Sequence, residues 1–190
     1  MKEFLEQYKL DAVLVHTPAN MRNISGFTGE GLVYASKEDA WILTDSRYTI
    51  AAAEESRGFE VLEYKRNMQQ YLVEKIVKEH PELAEKTFRI GFEDAVMTVE
   101  TYRTLEALFE KMNLKQWELV PLHKKLDKMR QIKTPEEIEL IKKAEKIGDE
   151  AFTKVTDWLT KCYREKTSVT EKQVAAHIEF YMRDAGAEGT

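Results

Sequence analysis

Short apolar runs and amphipathic stretches take turns along the first 120 residues. Ala12 to Val15 is a four-residue apolar run ended by Thr17 and Pro18, which predicts a buried strand. Thr17 can cap a short helix with Pro18 at its first position. Gly26, Gly29 and Gly31 mark a loop. Leu32 to Ala35 and Ala40 to Leu43 flank Ser36-Lys37-Glu38-Asp39, the pattern of an antiparallel hairpin. Tyr48 to Arg57 reads as a helix stopped by Gly58, Phe59 to Tyr64 as an alternating strand, and Met68 to His80 as an amphipathic helix halted by Pro81. Phe88 to Phe92 then predicts a strand, Val99 to Met112 a helix and Trp117 to Pro121 a last strand. Strand alternating with helix is the signature of an α/β fold, and the hairpin makes its sheet mixed rather than purely parallel.

After Leu122 the strand pattern stops. Thr134 is a good N-cap, Pro135 suits the first helical position, and Glu137 stands at the capping-box spacing. Ile138, Ile141, Glu145, Gly148, Ala151, Phe152, Val155, Leu159 and Cys162 fall on one face of a helix running from Pro135 to about Cys162. A second amphipathic helix is expected after Ser168 or Thr170, with Val174, Ile178, Tyr181 and Met182 on one side and its end near Gly186. Residues 187–190 read as a loop leading onward. The pattern divides the chain into a unit over residues 1–131 and a helical stretch over 132–190 that begins a domain without finishing it.

Composition narrows the function classes. Of 190 residues, 43% are hydrophobic, enough for a core, and 33% are charged with both signs interspersed, for a net charge of −5. No basic face offers itself to nucleic acid. The N-terminus lacks the apolar core of a signal peptide and no run approaches a membrane span. Cys162 is the only cysteine, which fits a reducing compartment and the cytoplasm.

The motifs hold no complete catalytic set. Gly26-Phe27-Thr28-Gly29-Glu30-Gly31 has neither dinucleotide-fingerprint nor P-loop spacing, and it precedes a strand rather than a helix. It is a structural or substrate-facing loop. His16, His80, His123 and His177 are scattered, and no spacing converges Asp11, Asp45, Glu93 and Asp94. Thr44-Asp45-Ser46-Arg47-Tyr48 ends a strand and opens a helix. Two readings stand here: Asp45 caps the helix and pairs with Arg47 at the surface, or Arg47 presents its planar fork to an anionic substrate group.

Arg130-Gln131-Ile132-Lys133-Thr134-Pro135-Glu136-Glu137, with the residues running on to Ala144 and Ala151, resembles the linker and first catalytic helix of the Xaa-Pro aminopeptidase, prolidase and creatinase family. Asn20 to Gly29, Leu43 to Tyr48 and Met182 to Thr190 are similar to further segments of that family, in the same order. Asn23-Ile24-Ser25 departs from the family's usual aromatic followed by Leu-Thr. The resemblance implies a mixed-sheet domain of ribonuclease-H-like topology, followed by the first helices of a truncated "pita-bread" domain. It implies hydrolysis of the bond preceding proline by two divalent ions, manganese or cobalt, whose ligands lie beyond Thr190, so the chain itself is expected to be inactive. It further implies a homodimer acting on proline-containing peptides, with Phe27, Thr28, Gly29, Arg47 and Tyr48 as candidate substrate-binding residues. A creatinase-like amidinohydrolase and a non-catalytic peptide-binding module of the same fold are the alternatives.

Overall fold

The four residues of Ala12–Val15 form strand β1, and all four are buried. A strand is buried on both faces only when layers cover it from both sides, and the computed structural model, which describes residues 1–189, shows how. The chain forms two units, Met1–Gln131 and the stretch from Ile132 onward. In the first, helix α1 (Lys2–Tyr8) precedes β1. Then follow α2 (Pro18–Ser25), β2 (Leu32–Ser36), β3 (Ala40–Thr44), α3 (Thr49–Glu55), β4 (Glu60–Glu63) and α4 (Met68–Glu79). After a 3-10 turn at Pro81–Glu85 come β5 (Phe88–Phe92), α5 (Val99–Lys111), β6 (Trp117–Pro121) and α6 (Lys125–Met129).

The six strands make one sheet in the order β4-β3-β2-β1-β5-β6. β2 pairs antiparallel with both β1 and β3, while the β1–β5, β3–β4 and β5–β6 pairs are parallel. Only β2 therefore runs against the other five. Side chains alternate between two cores, as the period of two requires. Ala12, Leu14, Tyr34, Trp41, Leu43, Phe88 and Ile90 face a layer that holds Leu72, Val73 and Ile76 of α4 and Leu105 and Phe109 of α5. Val13, Val15, Val33, Ala35 and Ile42 face the other layer, with Phe4 and Leu5 of α1, Met21 of α2, Ala52 of α3 and Leu126 of α6. Burying each large side chain contributes about 1.5–3 kcal/mol, so this double core dominates the unit's stability. Trp117 adds a polar tie, its indole N–H donating to the Leu83 carbonyl at 2.9 Å.

The sheet's two edges are guarded. In β4, Glu60 and Glu63 are exposed, and Lys75 lies 3.5 Å from Glu60. In β6, Glu118 pairs with Arg89 at 3.2 Å and Pro121 closes the strand. The β2–β3 turn is held by Ser36, whose hydroxyl accepts from the Asp39 N–H at 2.8 Å.

The second unit holds two helices. α7 (Pro135–Arg164) and α8 (Glu171–Asp184) each start with a complete capping box, Thr134 with Glu137 and Thr170 with Gln173. α7 runs two residues beyond the expected Cys162, and at 1.5 Å per residue is about 45 Å long. The two pack on each other through Trp158 and His177, ring centroids 3.9 Å apart, with Lys154 over the Tyr181 ring at 5.3 Å. Only part of the anticipated apolar face of α7 is buried: Ala151, Val155 and Cys162 are covered, whereas Phe152 is exposed. No residue of α8 is buried. α8 ends near Gly186, whose φ is +96° and whose N–H donates to the Arg183 carbonyl. Residues 187–189 lie outside helix and strand as expected, and Thr190 is outside the described residues.

Candidate functional site

Five strands end on the same side of the sheet, after Val15, Thr44, Glu63, Phe92 and Pro121. Connections from β1 run one way through β2, β3 and β4, then reverse to β5 and β6, so the topological switch lies between β1 and β5. In open α/β sheets that crevice is where ligands bind. Here it is a cavity of about 190 Å3 whose wall includes a polar knot of the chain's own side chains. The buried Glu93 carboxylate accepts the His16 and Thr17 N–H groups at 2.6 and 2.8 Å and the Asn20 side-chain amide at 2.6 Å. Asn20 also donates to Asp127 at 3.0 Å and accepts from Arg130 Nε at 2.6 Å, while Arg130 reaches Asp127 at 3.0 Å. A carboxylate with three donors is a well-satisfied buried charge, and the knot ties β1, α2, β5 and the segment after β6 together.

This knot corrects one local expectation. Thr17 stands at the N-cap of α2 but makes no side-chain capping bond. Its entry to the helix is fixed instead by Glu93, 76 residues away in sequence. Beside the knot, His123 and Lys124 both adopt left-handed backbone, φ 48° and 60°. Asp94 accepts the His123 N–H at 2.7 Å, holding a conformation that such residues otherwise avoid. That bond and the neighbouring His123 ring outweigh the desolvation that would raise the Asp94 carboxyl, and hold it below its usual range.

A second, open depression of about 420 Å3 is lined by His16, Pro18, Met21, Thr28, Gly29, Glu30, Gly31 and Tyr48. Three of the five candidate substrate residues line it, and the other two support it. Phe27 is fully buried and meets Tyr48 edge-on, centroids 6.4 Å apart, so it is a floor rather than a contact surface. Thr28 is exposed, and both its N–H and its hydroxyl donate to Glu55, at 2.7 and 2.9 Å. Gly29 sits against the Tyr48 and Phe27 rings, where an added Cβ would come within 2.6 Å of Tyr48. At Gly31 a Cβ would fall 2.3 Å from the Leu43 carbonyl oxygen, so the loop approaches β3 too closely for any side chain.

Arg47 stands at the rim. Its Nε and Nη2 grip Asp45 at 3.1 and 2.8 Å, Nη2 also reaches Glu30 at 3.0 Å, and the guanidinium lies 5.0 Å from the Tyr48 centroid. The hydrogen bonds from Arg47 hold the Asp45 carboxyl below its ordinary range, and the reverse interaction raises the guanidinium. Asp45 does not cap α3, whose N-cap is Tyr48 without a side-chain bond. Asp45 accepts the Arg47 N–H instead, closing a local turn. His16 is held below the ordinary histidine value by burial, only partly opposed by Glu93. The imidazole at the depression is thus neutral near pH 7.

Among the described residues no group of three or more His, Cys, Asp or Glu side chains is placed to hold a metal ion. The residues present do not fit a two-ion centre. No helix among them is long and apolar enough to cross a membrane. Sequence reasoning missed the Glu93–Asn20–Asp127–Arg130 knot. Its bonds between Asn20 and the other three span 73 to 110 residues, and the one available signal was a run of acidic residues directly after a predicted strand.

The sheet is that of a known domain class. The model of the creatinase/prolidase N-terminal domain matches residues 1–132, and the chain belongs to that family. It is 32% identical over 194 residues to an uncharacterized peptidase, YqhT, of Bacillus subtilis, covering all of this chain and 49% of that protein. It is 29% identical to the Xaa-Pro dipeptidase of Pyrococcus furiosus, covering 98% of this chain and 47% of the relative. The crystal structure of an X-Pro aminopeptidase from Thermotoga maritima superposes with a TM-score of 0.79 at 28% identity, over 97% of this chain and 49% of that one. The chain spans about half the length of the curated relatives it matches.

Proposed function

We propose that this chain is the N-terminal part of a Xaa-Pro peptidase, an aminopeptidase P or Xaa-Pro dipeptidase, acting on proline-containing peptides in the cytoplasm. The observation that carries the reading is the extent of the likeness. The domain model stops at residue 132, yet the likeness to the Pyrococcus dipeptidase and the Thermotoga aminopeptidase continues through α7 and α8. A free-standing module of the same fold gives no reason for that continuation. In this reading the first unit is the ribonuclease-H-like domain that shapes the substrate pocket and a homodimer. α7 and α8 are the opening helices of the pita-bread domain, and two divalent ions, manganese or cobalt, act on the peptide bond from residues outside this chain.

The test is a hydrolysis panel on the intact parent protein loaded with manganese or cobalt, against Ala-Pro, Ala-Pro-Ala, Ala-Gly and creatine. Cleavage confined to bonds preceding proline supports the reading. Turnover of creatine moves the protein to the amidinohydrolases, and peptide binding without turnover makes it a binding module. The 190-residue chain alone should be inert in the same panel.

A further inference from the structure

Beyond that reading, we infer that α6 is a clasp that opens separately from the sheet, and that Asn20 carries its opening to the β1–α2 junction lining the depression. α6 has little of its own to hold it. It spans five residues, lacks a side-chain N-cap bond and buries only Leu126. A helix this short is unstable without outside support. Its entry through His123 and Lys124 uses two successive left-handed residues, a conformation that persists only where the surroundings impose it. Those surroundings are mostly polar. The buried Leu122 donates its N–H to the Phe92 carbonyl, Asp94 holds the His123 N–H, and Lys125 lies over the Tyr8 ring at 4.6 Å. Asp127 and Arg130 both tie to Asn20. α6 is also the last element of the first unit, which ends at Gln131, so a displacement of the chain beyond that residue reaches α6 first.

Two adjacent acidic residues directly after β5 clamp different segments. Glu93 accepts the His16 and Thr17 N–H groups of the β1–α2 junction, and Asp94 accepts the His123 N–H before α6. Asn20 joins the two clamps. Its Nδ2 donates to Glu93 Oε1 and Asp127 Oδ1, and its Oδ1 accepts from Arg130 Nε. A side-chain amide offers donors to two carboxylates and an acceptor to a guanidinium at once. With α6 in place the amide is gripped at both ends and one N–H stays aimed at Glu93. With α6 away it keeps Glu93 alone, and the carboxylate loses the partner that orients it toward His16 and Thr17. His16 lines the depression, so the opening is felt there.

The experiment is residue-resolved amide hydrogen exchange on the 190-residue chain. Leu126→Ala loosens α6 from its apolar side and removes none of the hydrogen-bonding groups. Exchange should speed up at Arg130 and Gln131 and, by about two- to tenfold, the factor one hydrogen bond supplies, at His16 and Thr17. The β3 amides should keep their rate. In an Asn20→Ala background, where His16 and Thr17 start faster, adding Leu126→Ala should change them no further. Asp127→Ala, at a partly exposed side chain, tests the same link if Asn20→Ala does not fold, and it too should speed His16 and Thr17 with β3 unchanged. No acceleration in α6, or a faster α6 with His16 and Thr17 unchanged, overturns the inference. A Leu126→Ala effect that persists in Asn20→Ala assigns the coupling to packing and overturns the role of Asn20. Equal acceleration at β3 shows that α6 opens only with the whole unit and overturns the clasp.

Discussion

The two units write their helices differently. In the first unit α1, α2 and α3 have no side-chain N-cap bond. They are held by what they bury: Phe4 and Leu5, Met21, and Ala52. In the second unit α7 and α8 carry complete capping boxes, yet α8 buries nothing and α7 only Ala151, Val155 and Cys162. Caps satisfy the orphan N–H groups of a helix and need no tertiary partner. Packing fixes a helix without a cap but needs a tertiary partner. The contrast teaches that local helix signals and tertiary burial are independent supports: α4 and α5 of the first unit combine a side-chain cap at Asn67 and Thr98 with a buried face, while α8 has its cap alone.

The sharpest way to break that comparison is a matched pair of truncations. Leu43→Ala, in the fully buried centre of β3, should destabilise the first unit by about 2–5 kcal/mol in urea unfolding, because a cavity opens in a closed core. Phe152→Ala, on the exposed side of α7, should change stability by less than about 0.5 kcal/mol despite its larger side chain. A comparable loss at both positions would show that α7 is as firmly buried as the sheet.

A second pair uses glycine. Gly31→Ala drives a methyl into the Leu43 carbonyl and should cost about 1–3 kcal/mol. Gly148→Ala, inside α7 with open space around it, should raise stability by about 0.5–1 kcal/mol and increase helical circular dichroism. The opposite signs come from the same added methyl.

Caps give the third contrast. Thr134→Ala and Thr170→Ala should each lower the stability of their helix by about 0.5–2 kcal/mol, read as faster hydrogen exchange in its first turn. Thr17→Ala should leave exchange in α2 nearly unchanged, since its hydroxyl makes no capping bond and Glu93 holds its backbone N–H.

The smallest effect is a pH dependence belonging to the first unit alone. Burial by itself would lower the His80 pKa. The hydrogen bond to Asp39 at 2.6 Å, with Glu38 and Glu82 nearby, outweighs it and leaves the value raised above 6.5. A raised folded pKa means this contribution is complete below pH 6.5 and is lost as pH rises through the folded value. The loss should stay under about 1 kcal/mol and vanish in His80→Gln, which unfolding curves between about pH 5.5 and 8.5 would measure. An unchanged slope in the variant would assign the dependence to another group.

Much of this architecture is legible in the sequence. All six strands announce themselves as short apolar or alternating runs bounded by turn residues, because each needs at least one face in a core. α7 and α8 are legible for the opposite reason, since their caps are spelled out within four residues. Two short helices are not. α1 spans seven residues and α6 five, with Leu126 the single buried residue of the latter, too little for a period to show. The 3-10 turn after Pro81 is hidden in the same way. At the site, the glycine loop and Thr44–Tyr48 stand out locally, and the structure brings them together. The knot does not stand out, because Asn20, Glu93, Asp127 and Arg130 have no pattern among themselves until the sheet closes. Phe27 shows a further limit: the family resemblance makes it a candidate ligand contact, while in the structure it is fully buried edge-on to Tyr48.

The guarded rims of the sheet bear on how this molecule meets copies of itself. An open sheet ends in two rows of backbone groups that can template another strand, and natural proteins blunt such rows with charge and proline. β4 carries outward glutamates with a lysine alongside, and β6 an arginine–glutamate pair and a terminal proline. Concentrated solutions should therefore resist fibril-like growth along the hydrogen-bonding direction. The same charges and proline disfavour a strand ladder between copies, the one mode of contact through this sheet that could extend without limit.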